Sequence, residues 1–199
     1  MDISKIIIIQ KIWKGYFIRK YITIPSSEYQ TKKWRMNRIW YKNGKHNECE
    51  IYQRNLIEKI TINKCNKTNL RLNIITKELK EISHPYKNID GFNYTENFDG
   101  FINVNKNKLY FNLKFICDSG GAQTRSLILT YYFIKIQIDY LLLNNNNNIY
   151  FINILDGDTS YKDINKFHYL LSEYKKINKY IFVGNLYNFQ KWYLRNFSF

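Results

Sequence analysis

The fold is decided by two runs in the middle of the chain, FDGFINV at residues 98–104 and LYFNLKFI at residues 109–116. Both runs are rich in aromatic and β-branched side chains, which favour strands. The residues between them, 105–108, have the sequence NKNK, which is typical of a turn. The pattern therefore predicts a β-hairpin.

Downstream of the hairpin, the pattern predicts helices that alternate with strands. Gly120-Gly121 ends the second strand, and residues 122–143 place Leu127, Tyr131, Ile134, Ile138 and Leu141 at helical spacing. We then predict a strand at residues 150–155, a helix at 160–176 and a strand at 180–183. A strand, a helix and a second strand imply a parallel crossover, so the fold class is α/β with a mixed central sheet flanked by helices.

Upstream of the hairpin, a helix is predicted at residues 47–62, with Ile51, Leu56, Ile57 and Ile60 on its apolar side. Residues 70–79 fit a helix or a strand. Residues 4–21 form a basic amphipathic pattern, and Ser26 or Ser27 is the predicted N-cap of a second basic stretch. These boundaries divide the chain into a basic helical extension at residues 1–45 and one α/β domain at residues 46–199.

The composition indicates an intracellular protein that binds a polyanion. The chain has 199 residues and a formal net charge of +15, which favours contacts with nucleic-acid phosphates. Its cysteines, Cys49, Cys65 and Cys117, form no CxxC pair, which argues against a disulfide scaffold or a structural zinc site. The apolar start at residues 6–9 is too short and too charged in its surroundings for a signal peptide, and no membrane is expected.

The hairpin brings three polar residues together in either of its two simplest registers. A turn at Asn105-Lys106 places Asp99 opposite Asn112, and a turn at Lys106-Asn107 places it opposite Lys114. Asp99, Asn112 and the Leu113 carbonyl would then be metal ligands, and Lys114 would orient a water and stabilise developing charge. The alternative is an ordinary half-exposed amphipathic strand with the same alternation.

The segment after the second strand strengthens the functional interpretation. A glycine pair leads into a helix N-terminus, where Gln123, Thr124 and Arg125 could donate to a phosphate. Over residues 47–155, the chain resembles the PD-(D/E)xK superfamily, specifically type II restriction-endonuclease-like proteins. The resemblance implies a restriction-endonuclease-like core and a Mg²⁺-dependent DNA endonuclease, with Mn²⁺ as a substitute metal.

The resemblance also implies roles for single residues. Asp99 matches the family's first aspartate and Lys114 its lysine, with Asp99, Asn112 and Lys114 as the catalytic set. Double-stranded DNA would be the partner, a homodimer the assembly, and the backbone would be held by Gln123, Thr124, Arg125, Lys32, Lys33, Arg35 and Arg38.

Asn112 departs from the family, which usually has Asp or Glu at this position. Either the site is an Asn-x-Lys variant, with Glu58, Glu96 or Asp118 as a compensating acid, or the chain is a catalytically inactive DNA-binding protein with a nuclease fold. Asp156 and Asp158 follow the next strand, where open α/β sheets place functional groups; a plain turn is the alternative.

The N-terminal helix carries a second motif. Ile9-Gln10, Lys14-Gly15 and Arg19 are similar to the IQ motif that binds calmodulin-like proteins, so an EF-hand-regulated adaptor is a further hypothesis. DNA contact or packing on the domain are the alternatives for this helix. IQ-like N-terminal segments of this kind also resemble those of many giant-virus proteins. This resemblance implies a virus-encoded protein in the cytoplasm or nucleus of its host.

Overall fold

A computed structural model describes residues 22–42, 48–82, 93–144 and 148–197, together with Trp13 and Gly91. The predicted helix at residues 4–21 and its IQ-like motif lie outside these residues, except for Trp13. The helices, in chain order, are α1 (Lys32–Met36), α2 (Ile39–Lys42), α3 (Glu48–Thr61), α4 (Gly121–Leu143), α5 (Asp158–Ser172) and α6 (Leu186–Phe197). The strands are β1 (Leu70–Asn73), β2 (Leu79–Glu81), β3 (Thr95–Asn97), β4 (Gly100–Val104), β5 (Asn107–Phe115), β6 (Ile149–Asp156) and β7 (Ile181–Gly184).

The centre of the fold is a four-stranded mixed sheet in the order β4-β5-β6-β7. β4 and β5 are antiparallel, whereas β6 is parallel to both β5 and β7. A three-stranded antiparallel sheet, in the order β2-β1-β3, contains the segment that the sequence left open between helix and strand. The predicted α/β class with a mixed sheet is confirmed.

The hairpin adopts the first of the two predicted registers. Gly100 pairs with Phe111 and Val104 with Asn107, so the turn is at Asn105-Lys106. Asn105 has a φ of 56°, in the left-handed region that asparagine tolerates better than most residues. The residue at this position is therefore compatible with the observed turn.

Helices cover both faces of the sheet. On one face, Phe111 and Ile152 pack against Ile57 of α3 and Phe189 of α6. On the other face, Phe151 and its neighbours pack against α4 and α5. Each fully buried side chain of this kind contributes about 1.5–3 kcal/mol to folding, so the sheet is fixed from both sides.

By length and composition, α4 is the one helix among the described residues that could cross a membrane. Its inner side nevertheless belongs to the protein core, where Ile134 and Ile138 are buried. The helix therefore has a packing role in the fold.

The structure differs locally from the sequence-based interpretation in α6 and in the cap of α1. α6 was not predicted, although Phe189, Tyr193 and Phe197 recur every four residues and are buried. The N-cap of α1 is Thr31, whose hydroxyl accepts a hydrogen bond from the Trp34 N–H at 3.1 Å. Ser27 is not a cap because its hydroxyl is buried and donates to Asp156 at 3.1 Å.

Candidate functional site

Asp99 and Lys114 meet where the hairpin opens. Asp99 immediately precedes β4, and its N–H donates to the Phe111 carbonyl at 2.7 Å. Its carboxylate accepts from the Leu113 N–H at 2.7 Å and lies 3.9 Å from the Lys114 ammonium. The Asp99 side chain is 10% exposed and that of Lys114 is 40% exposed. The pair therefore joins an almost buried anion to a cation that solvent can reach.

Helix α3 supports this pair with three residues from one of its faces. Glu50, Gln53 and Arg54 are three and four residues apart, a spacing that places them together on a helix. The Arg54 guanidinium donates to the Asp99 carbonyl at 3.0 Å and lies 3.5 Å from the Glu50 carboxylate. Gln53 donates to the Lys114 carbonyl at 3.0 Å. The backbone on both sides of the pair is thus held by α3.

The electrostatics identify Glu50 as an acid close enough to act on Asp99. Burial is the main cause that raises the pKa of the Asp99 carboxyl, and the negative charge of Glu50 raises it further. The Lys114 charge and the hydrogen bond from Leu113 lower this pKa. A further cation near Asp99 would stabilise the ionised forms of both Asp99 and Glu50.

Asn112 is buried, whereas Lys114 on the same strand reaches solvent. It is 1% exposed, and its amide donates to the Asn153 side-chain oxygen at 3.0 Å. Asn153, its register partner on β6, also exchanges hydrogen bonds with Gln137 of α4. A buried amide needs such partners, and these partners draw Asn112 into the interior.

One atom of Asn112 is left without a partner. Its side-chain oxygen is buried and makes no hydrogen bond within the described part of the chain. A buried acceptor of this kind costs free energy unless a donor or a cation satisfies it. Asn112 is therefore a buried neighbour of the site that has one free acceptor.

The three predicted accessory acids have other environments. Glu58 accepts a hydrogen bond from the Cys65 N–H at 3.0 Å, and Asp118 forms an ion pair with Lys32 at 3.2 Å. Glu96 is exposed on β3 in the smaller sheet. Glu50 was missed, since a single glutamate on a predicted helix has no distinguishing sequence pattern.

The predicted DNA-contacting residues occupy two segments. In α1 and just after it, Lys33 is exposed, Arg35 donates to the Phe115 carbonyl at 3.3 Å, and Arg38 lies over the Trp34 ring. In the first turn of α4, Thr124 donates to the Gly120 carbonyl at 3.2 Å and Arg125 is exposed, while Gln123 is half-buried. The first segment contacts Phe115, the residue that follows Lys114 in β5.

Asp156 belongs to a buried polar cluster at the end of β6. Its carboxylate accepts from Gln53 at 2.8 Å, from Ser27 at 3.1 Å and from the Leu186 N–H at 3.2 Å. Because the side-chain nitrogen of Gln53 also donates to the Lys114 carbonyl, it links Asp156 to the site. Asp158 instead accepts from the Asp118 N–H at 3.2 Å, as a turn residue does.

The stability of the protein should depend on pH through Asp156. Burial raises the pKa of this carboxyl from 3.8 to about 6, so the folded state holds its proton more tightly than the unfolded state. The free energy of unfolding should therefore fall as the pH rises from about 4 to about 6 and stay low above that range. Relative to the unmodified protein, Asp156→Asn should gain stability on the order of 2 kcal/mol between pH 4 and pH 8, because asparagine does not ionise.

This prediction is checked by urea unfolding of both proteins between pH 4 and 8, without metal. The difference between them isolates Asp156, because the other titrating groups are shared. A difference that is the same at every pH would contradict the assignment.

No known family model matches the chain, and no curated protein or solved structure matches it either. The α/β class therefore rests on the sheet topology described above.

Proposed function

We propose that the chain is a Mg²⁺-dependent DNA endonuclease with a restriction-endonuclease-like core. The observation that carries the proposal is the meeting of Asp99 and Lys114 at the open end of the hairpin, 3.9 Å apart. A carboxylate beside an ammonium at the surface of a strongly basic protein suits a phosphodiester substrate.

The topology supports the finer fold assignment. An antiparallel hairpin, a helix and a parallel strand follow one another as β4-β5, α4 and β6. This is the order that the resemblance to PD-(D/E)xK nucleases implies. Asp99 and Lys114, the two residues that the resemblance matches, lie 3.9 Å apart at the open end of the hairpin, which supports the proposal.

The metal of this proposal is a magnesium ion that keeps part of its water shell. Among the described residues, no group of three or more His, Cys, Asp or Glu side chains could hold a metal. Mg²⁺ is, however, commonly bound by one or two carboxylates together with water and substrate phosphate. Asp99 would provide one carboxylate, and Glu50, whose charge acts on Asp99, is the candidate for the second.

Each residue then has a defined task. When bound, the cation would neutralise charge on the scissile phosphate and lower the pKa of a water. Lys114 holds a positive charge beside Asp99 and can orient the attacking water or stabilise the developing charge. Arg54 and Gln53 fix the backbone of Asp99 and Lys114 through their carbonyls.

A second candidate is a DNA-binding protein with this fold and no turnover. It is favoured by the burial of Asn112, which removes the third side chain of the predicted catalytic set from the surface. The basic residues of α1 would serve either function equally well.

Plasmid cleavage separates these candidates. The purified protein should nick or linearise plasmid DNA with Mg²⁺ or Mn²⁺ and should not do so with EDTA. Lys114→Ala should lower the rate by about 10²- to 10⁴-fold, as expected for the loss of an acid–base or charge-stabilising group. Tight binding to DNA with no metal-dependent cleavage would overturn the endonuclease proposal in favour of the second candidate.

A further inference from the structure

An aromatic and basic surface lies at the end of β5 that carries Lys114; it consists of Trp34, Arg35, Arg38, Trp40 and Phe115. The Trp34 ring stacks on Phe115, with centroids 6.1 Å apart and planes 7° from parallel. Arg35 donates to the Phe115 carbonyl at 3.3 Å. Phe115 follows Lys114 as the last residue of β5, so this surface and the candidate site lie at the same end of the strand.

The surface is strongly cationic, and little of its charge is neutralised. Residues 31–42 contain no acidic residue and five basic ones, Lys32, Lys33, Arg35, Arg38 and Lys42. Across the described part of the chain, only Lys32 of these five forms an ion pair, with Asp118. The exposed side chains of Lys33, Arg38 and Lys42 are available to a polyanion.

Arg38 is placed for stacking rather than for grasping a phosphate. The carbon at the centre of its guanidinium lies 4.1 Å from the centroid of the Trp34 ring, and the residue is exposed. A nucleobase can stack on the outer face of this guanidinium, because both groups are flat and polarisable. Bases inside a duplex are already stacked and cannot reach such a surface.

From this geometry we infer that the aromatic and basic surface binds unpaired nucleotides, so the preferred substrate carries a single-stranded segment next to the scissile phosphate. This inference rests on the proposed function for the position of cleavage. Its binding component is independent of cleavage. Basic grooves that present aromatic rings are the usual means of holding single strands.

The aromatic rings also hold α1 and α2 on the domain, which limits the choice of variants. Trp40 stacks on Tyr52 of α3, with centroids 4.6 Å apart and planes 12° from parallel. Replacing either tryptophan would loosen the fold. Arg38→Lys is the better probe, since it keeps the charge and the exposed position and removes the planar group.

The test measures fluorescence anisotropy with labelled DNA in EDTA, where no cleavage occurs. One probe is a blunt duplex, and the other is the same duplex with a single-stranded overhang. The protein should bind the overhang probe about tenfold more tightly, which is a typical contribution of stacking by one base. Arg38→Lys should lose most of this preference.

Lys33→Ala is the matched control, because Lys33 is an exposed cation of the same helix. It should weaken binding to both probes by a similar factor and leave their ratio unchanged. Equal affinity of the unmodified protein for both probes would overturn the inference, as would an Arg38→Lys variant that keeps the preference.

The two proposals can fail separately. Preference for the overhang without any metal-dependent cleavage would remove the endonuclease function and leave the binding inference standing. Cleavage of plasmid without a preference for the overhang would do the reverse.

Discussion

Replacing Asp99 with asparagine should abolish most metal-dependent cleavage while leaving the protein folded. The substitution removes the negative charge that Lys114 faces at 3.9 Å. It preserves the shape of the side chain, whose amide oxygen can still accept from the Leu113 N–H. We expect the cleavage rate to fall by about 10²- to 10³-fold, as for the loss of one preorganised electrostatic contact in an active site.

Stability provides the internal control for this variant. Burial raises the pKa of the Asp99 carboxyl, which means that the ionised form is disfavoured in the folded protein. A neutral asparagine should therefore leave the urea midpoint at pH 8 unchanged or slightly higher. Asp99→Asn with reduced activity and a lowered midpoint would point to a structural role instead.

Asp139→Asn is the matched control for the chemical change. Asp139 lies on α4 and forms an ion pair with Lys77 at 3.5 Å. Its replacement should leave cleavage within about twofold of the unmodified protein, because it removes a surface ion pair of small energetic value. If both asparagine variants lost activity to the same extent, the site at Asp99 would be refuted.

Sequence predicts well those helices and strands that have apolar side chains spaced along a single face. The hairpin, α3 and α4 lie within one or two residues of their predicted bounds, because their apolar spacing and turn residues act locally. The sequence pattern allows two registers for the hairpin. The turn conformation of Asn105 decides between them, and either turn is compatible with the residue types present.

The parts of the site that sequence did not predict depend on contacts between distant segments. Glu50 and Gln53 reach Asp99 and Lys114 only because α3 packs against the end of β5. Asn112 and Lys114 are two residues apart on β5, as the sequence pattern requires. Asn112 is nevertheless buried, with its side chain bonded to Asn153 on the neighbouring strand β6. No periodicity in a single sequence specifies which polar partner a neighbouring strand will offer.

Replacing Gly157 with alanine should be among the most destabilising single substitutions in the domain. Gly157 joins β6 to α5 with a φ of 102°, which alanine rarely adopts. An added Cβ would lie 2.1 Å from the Ile116 carbonyl oxygen and 2.9 Å from the Cys117 sulfur. Backbone atoms cannot move aside as a flexible side chain can, so the ends of β5 and β6 would separate.

The expected cost is about 3 kcal/mol or more, from backbone strain together with the steric overlap. Gly121→Ala is the control, since Gly121 begins α4 with ordinary helical geometry and its nearest obstacle would be the Arg125 side chain at 3.6 Å. That variant should match or exceed the stability of the unmodified protein by up to about 1 kcal/mol, because alanine favours helix formation. Urea unfolding measures both, and insolubility of Gly157→Ala beside a soluble Gly121→Ala would have the same meaning. Equal stability of the two variants would contradict the close approach of Gly157 to the end of β5. It would also contradict the position of Asp156 next to Gln53 at this end of the sheet.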